Sequence, residues 1–397
     1  MKTWHLVLIL SVFACMVGGA AWGSGSDPSV SHLGGSPGTD IYYQTPGSIQ
    51  GLSTKGLTSE YSDIPFVNNR LVIWFVTQQH TYFGGFVLAL PLFSLLLEFI
   101  GMTRRHQNAR RQYDGLAHDI LRVALVALSI TAVLGAIMLA LFITLYPTFM
   151  QYMGGTFKSV MPVYATVFVG EAFFLALYYY SWNRLRGGIS KWIHMAIGVV
   201  SNGIGVILLL MANAWASFMM APSGVDSEGH FLGNIWHLIH SPLWNPLNSH
   251  RFLADIMSGG AVVVAYATYR FFISRSKEDK AYYDWVGYVF LVVTVCALLP
   301  MPIAGYWLMK AVFEFRQQMG ITMMGGLLSW LFVIQAINVG VLFLGINYYI
   351  WQSLSRIRGG DRYHPYFKGI LFALMICFLV WFTPHTIAMS ASEMKAM

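Results

Sequence analysis

The sequence predicts an all-α integral membrane protein, a helical bundle of about eight transmembrane helices plus an N-terminal signal or anchor helix. Three observations lead there. Hydrophobic residues make up 56% of the 397 and charged residues only 10%, against about 25% charged in soluble domains. Apolar stretches recur at lengths near or above the roughly 20 residues that cross a bilayer. Most of the 24 Lys and Arg residues fall between those stretches, in TRRHQNARR, WNRLRGGISK, YRFFISRSKEDK and SLSRIRGGDRYHPYFK.

The first run, LVLILSVFACMVGGAAWG, follows Met1 and Lys2 and gives way to Gly/Ser/Pro-rich chain. It reads as a signal peptide or N-terminal anchor over 1–23. Residues 24–67 are then an exported loop segment, and 68–397 form the transmembrane domain. Spans are expected at about 70–100, 119–146, 160–182, 190–219, 251–273, 284–309, 325–351 and 368–389. The basic loops alternate with loops carrying one or two cations, which puts both ends of the mature chain on the outer side. The net charge of +7 therefore marks membrane-flanking loops and no nucleic-acid surface. Cys15, Cys296 and Cys377 lie in apolar runs, with no disulfide framework and no CxxCH site, so any haem is held non-covalently.

Ionisable groups at membrane depth cost at least about 2.5 kcal/mol and face a cavity, a partner or a cofactor. The first mature span holds His80 and Glu98; Glu171, His194, Lys310 and His385 follow. His80 lies ten residues after Arg70, about 15 Å along a helix, where an imidazole either binds a metal such as haem iron or bonds a neighbouring helix. Gly84 and Gly85, one turn on, leave flat space for a porphyrin face or permit close helix packing. Glu171 sits among aromatics in VFVGEAFFLALYYY; a carboxyl there is expected to be protonated or paired, as a proton relay or a structural bond. His237 and His240 are one turn apart, as metal ligands or as interfacial residues beside Trp236 and Trp244, and His194 reads as interfacial. His250 and His385 are placed at depths comparable with His80.

Arg70 with His80 ten positions on, Glu98 late in the same span, GEAFFLALYYYSWNRL, Ser201-Asn202 and ANAW at 212–215 together resemble subunit I of the cytochrome bd-type quinol oxidases. The resemblance runs from about residue 68 onward. It implies a bacterial cytoplasmic (inner) membrane location, haem of b and/or d type, dioxygen reduction to water, and a second membrane subunit as partner. It also implies that His80 ligates a high-spin haem, that Arg70 lies near its propionates and that Glu171 belongs to a proton path. The sequence departs from the pattern at several places. The carboxylate expected eight residues before Glu171 falls on Val163, the low-spin haem's histidine on Ala254 with His250 one turn earlier, and its methionine partner on Gln335. A last-span glutamate ligand falls near Phe382, with His385 one turn later. The outer loop that forms the family's quinol site is shortened to about YWLMKAVFEFRQQMGITM.

The expectation is therefore a divergent haem-binding subunit with an iron site on His80, with Glu171 and Glu98 as working carboxylates and His250 or His385 as replacement ligands. Its electrons would come from a partner subunit or an exported cytochrome. The alternative is a cofactor-poor structural pseudo-subunit paired with a catalytic homologue. A secondary transporter is disfavoured because no inverted repeats or matched broken helices are evident.

Overall fold

Long apolar helices form here because, within a bilayer, only intrahelical hydrogen bonding satisfies the backbone. The computed structural model describes residues 64–376 apart from 66, 186, 227–228, 318–319, 321–328 and 374. In order come α1 (Asn69–Thr103), α2 (Gln107–Leu145), α3 (Pro147–Thr156), α4 (Met161–Ser181), α5 (Gly188–Met220), α6 (Ile235–Ile239), α7 (Trp244–Ile273), α8 (Lys277–Leu298), α9 (Met301–Phe315), α10 (Ser329–Leu354) and a 3-10 turn, Gly360–Tyr363. Among the described residues the only extended pairing is an isolated bridge between Val225 and Phe231. Six stretches are long and apolar enough to cross a membrane: α1, α2, α4, α5, α7, and α8 with α9. The seventh expected span coincides with α10. Helical residues 364–373 open the eighth; its remainder, with His385, lies outside the described residues, as do 1–23 and nearly all of 24–67.

One expectation needs correction. The stretch taken as a shortened outer loop continues as helix over its first part, because α9 runs to Phe315 and buries Ala304 and Val312. Pro300 caps α9 just after α8 has ended. A proline so placed suits the start of a new helix.

The bundle is organised around α1. Asn68 caps it by accepting from the Arg70 N–H (2.8 Å), which satisfies an amide at the helix start. α1 packs along α2 and also touches α5 and α7. The core joins Phe93 and Leu97 of α1, Leu121 of α2, Tyr178 of α4 and Phe290 of α8. Small residues permit the closest approaches. A Cβ on Gly85 would lie 2.7 Å from Asp255 Oδ1, and one on Gly259 would lie 2.7 Å from the Ala89 Cβ. Without a strong hydrophobic force between helices in lipid, such close backbone approach is what holds them together. Both contacts are separated by four residues on α1 and four on α7, so these two helices run parallel and in register.

Candidate functional site

Two polar layers form where α1, α4 and α5 meet. On α5 the residues facing this junction, Lys191, His194, Gly198, Ser201 and Gly205, follow a spacing of three and four, which keeps them on one helix face. The first layer is a small recess lined by Val87, Leu88, Pro91, Glu171, Leu175, Ser201, Asn202 and Gly205. Glu171 is 6% exposed and makes no side-chain hydrogen bond among the described residues. It points at α5, where a Cβ on Gly205 would lie 2.9 Å from its Oε1. Pro91 has no N–H, so the Val87 carbonyl loses its usual helical donor, and both residues border the recess. A carboxyl beside an under-bonded carbonyl and the hydroxyl of Ser201 is a place where a proton can be held.

The second layer lies two turns away on the same three helices, about 10 Å, as the pairs Pro91/Glu98, Glu171/Tyr178 and Ser201/His194 show. Here Glu98 is fully engaged. Its Oε2 accepts from the Tyr178 hydroxyl (2.6 Å), and its Oε1 lies 2.7 Å from His194 Nδ1 and 2.5 Å from Lys191 Nζ. Lys191 also donates to Asp114 Oδ1 at 3.0 Å, and Trp182 Nε1 donates to the other Asp114 oxygen at 3.3 Å. His194 Nε2 faces the Tyr178 carbonyl at 3.0 Å. Both of its nitrogens thus meet oxygens of neighbouring elements. His194 is completely buried within the bundle. Glu98 forces this, because a carboxylate at that depth needs donors from the facing helices.

His80 stands on the other half of α1. Its Nδ1 lies 3.0 Å from the Thr131 carbonyl, and its ring lies flat enough against α2 that a Cβ on Gly135 would be 2.9 Å from Cε1. The neighbouring glycines are used for helix contact: Gly84 faces Thr131 and Gly85 faces Asp255. The porphyrin-sized gap that they could have left is therefore closed on that side. Arg70 is exposed on the first turn of α1. His250 has a buried Nδ1 without a partner and faces Gly305 of α9. His237 and His240 do not join a metal cluster, and no group of three or more His, Cys, Asp or Glu suited to a metal ion occurs among the described residues. His240 lies between Trp236 (5.0 Å) and Trp244 (4.3 Å).

A polar centre not anticipated from sequence lies on α7. Arg251 Nη1 donates to Asn213 Oδ1 (2.7 Å), and Asn213 Nδ2 donates to Asn248 Oδ1 (2.8 Å). The Asn248 Nδ2 is buried with no partner.

The profile of the family described as cytochrome bd terminal oxidase subunit I matches residues 69–356. The chain belongs to this family. It is 24% identical over 201 residues to a Bacillus subtilis (strain 168) protein assigned as subunit I of a cytochrome bd menaquinol oxidase, across 50% of this chain and 44% of that one. Its fold resembles that of the bd oxidase from Geobacillus thermodenitrificans with a TM-score of 0.54 at 16% identity, over 62% of this chain and 56% of the other. The chain thus spans about half the length of these relatives. Its low identity makes it a divergent member of the bd subunit I family.

Family membership raises the question of haem, and the donor chemistry around His80 suits one. A ligating histidine characteristically donates its second ring N–H to a carbonyl or carboxylate, which fixes the tautomer and orients the ring. Thr131 provides that carbonyl and leaves Nε2 with its lone pair. Unused buried donors at Asn248 and His250 add binding capacity nearby.

Proposed function

We propose that this chain is a haem-binding subunit of a bd-like respiratory complex in the bacterial cytoplasmic membrane, working in electron transfer and in the reduction of dioxygen. One observation supports the reading: the His80 Nδ1–H donates to the Thr131 carbonyl (3.0 Å), which leaves Nε2 to serve as the iron-binding nitrogen. When bound, haem supplies a redox-active iron, with an oxygen-binding position when one axial site is open or weakly held. His80 anchors and orients the group. Glu171 holds a proton at its carboxyl within the recess, and Val87, Leu88 and Leu175 limit water there. Glu98 and its donors hold α1, α2, α4 and α5 in fixed relation. A second membrane subunit completes the complex, and electrons arrive from it or from an exported cytochrome.

The test is a reduced-minus-oxidised spectrum with extracted-haem quantification, wild type beside His80→Ala. Haem in the wild type and its loss in the variant are expected. A folded wild-type chain without haem would instead establish the second reading, a structural pseudo-subunit paired with a catalytic homologue. The closed packing at Gly84, Gly85 and Gly135 is the observation that favours that alternative.

A further inference from the structure

We propose that Arg251, with Asn248 beside it, is the carboxylate-binding element of the haem site and receives a propionate of the tetrapyrrole whose iron His80 holds. The inference rests on the haem reading above and moves the propionate role, which resemblance alone gives to Arg70, onto a different helix.

Position comes first. Gly85 meets Asp255, and Ala89 meets Gly259; because α1 and α7 are parallel, one further turn back brings the level of His80 and Thr81 to that of Arg251. Arg70, by contrast, is exposed and stands about 15 Å along the helix from His80.

Unfilled bonding capacity comes second. A guanidinium carries five N–H donors in a fork that matches a carboxylate. Among the described residues Arg251 gives one, to Asn213. Asn213 is turned by its own bond to Asn248, which is 8% exposed and has an Nδ2 with no partner. The one acid within a turn on the same helix, Asp255, is drawn against Gly85, and no hydrogen bond or salt bridge joins it to Arg251. A half-buried cation and a buried amide donor side by side match the charge and geometry of a ligand carboxylate.

The experiment measures transfer of haem from the purified full chain to excess apomyoglobin, for wild type, Arg251→Met, Arg251→Lys, Arg70→Met and His80→Ala. It is repeated on wild type and Arg251→Met reconstituted with haem dimethyl ester, which lacks the carboxylates. Charge-assisted hydrogen bonds are worth enough that transfer from Arg251→Met should be about ten- to hundred-fold faster than from wild type. Arg251→Lys should show a smaller change and Arg70→Met none. With the ester, wild type should be as fast as Arg251→Met, and the variant should lose nothing more. Equal retention of haem by wild type and Arg251→Met overturns the proposal, as does an equal loss with haem and ester, which would mark Arg251 as structural. If Arg251→Met does not fold, the wild-type comparison decides, since equal retention of haem and its ester overturns it. Haem lost in His80→Ala but kept in Arg251→Met sinks this inference alone; a wild type without haem sinks both.

Discussion

Glu98→Gln removes the charge at the centre of the second polar layer while keeping its volume. Three donors converge on that carboxylate within 2.5 to 2.7 Å, and the Glu98 side chain is fully buried while Lys191 is 8% exposed. Summing three charge-assisted bonds at about 1.5–3 kcal/mol each overstates the cost, because contributions within one network are not additive. Removing one partner of a buried ion pair costs about 3–5 kcal/mol, and Asp114, still 3.0 Å from Lys191, retains part of the neutralisation. A loss of about 4 kcal/mol follows, nearly a thousand-fold in the unfolding constant at about 1.4 kcal/mol per decade. Denaturant titration in mild detergent, followed by helix content, measures it. Lys191→Met and the double variant complete a cycle, in which the double variant should be more stable than either single one because no buried charge is left facing an absent partner. A loss below about 1 kcal/mol, or single-variant effects that simply add, would refute the buried-network account.

Three further outcomes follow from the geometry. In Gly135→Ala the new Cβ would meet His80 Cε1 at 2.9 Å, so the ring should shift off Thr131 at a cost of about 1–3 kcal/mol, seen as a changed haem spectrum and lower haem content. Glu171→Gln should keep helix content and haem while slowing proton uptake in stopped-flow measurements, because the amide cannot pass a proton through the recess. Burial pushes the Tyr152 hydroxyl above its ordinary value against a smaller lowering contact with Thr156, and the Asp226 charge adds the least push upward. Its bond to the Gly229 carbonyl (3.1 Å) should therefore hold fully below about pH 10 and be lost as pH rises further, since the undocked phenol ionises first. Limited proteolysis of the 224–233 segment across pH should show this, with Tyr152→Phe cut readily throughout.

The spans were legible because apolar length and the placement of Lys and Arg are local properties of the chain. His80, Glu98 and Glu171 stood out for the same reason: each is an ionisable residue inside an apolar run. Their partners did not. Lys191 and His194 come early in α5, where a lone polar residue reads as interfacial, yet together with Gly198, Ser201 and Gly205 they form one small-and-polar stripe. That periodicity was the available signal. Asn248, Arg251, Asp255 and Gly259 make a comparable stripe on α7, hidden because Arg251 falls at the edge of the expected span. The pairing of Gly85 with Asp255 was beyond sequence reasoning, because it depends on which helices are neighbours and on their register. The extension of α9 was obscured by Lys310 and Glu314, whose charges suggest a loop although the helix carries them on its exposed side.

The polar groups on α1 and its neighbours divide by what remains unsatisfied. Around Glu98 each principal donor meets an acceptor: Lys191 meets two carboxylates, Tyr178 one, and His194 a carboxylate and a carbonyl. Such a network is complete within the protein, so its contribution is to fix helix positions, and adding a ligand would break bonds already made. Around Arg251 the balance is reversed. Among the described residues Asn248 Nδ2 and His250 Nδ1 are buried without partners, Glu171 sits in its recess without a side-chain hydrogen bond, and His80 keeps an uncommitted Nε2. Buried unpaired groups of this kind cost stability unless something else satisfies them, and in lipid bulk water is not at hand to do so. Saturation therefore separates the two regions more sharply than composition does: around Glu98 the donors are satisfied within the protein, while beside Arg251 the buried polar atoms of Asn248 and His250 remain for a bound group to satisfy.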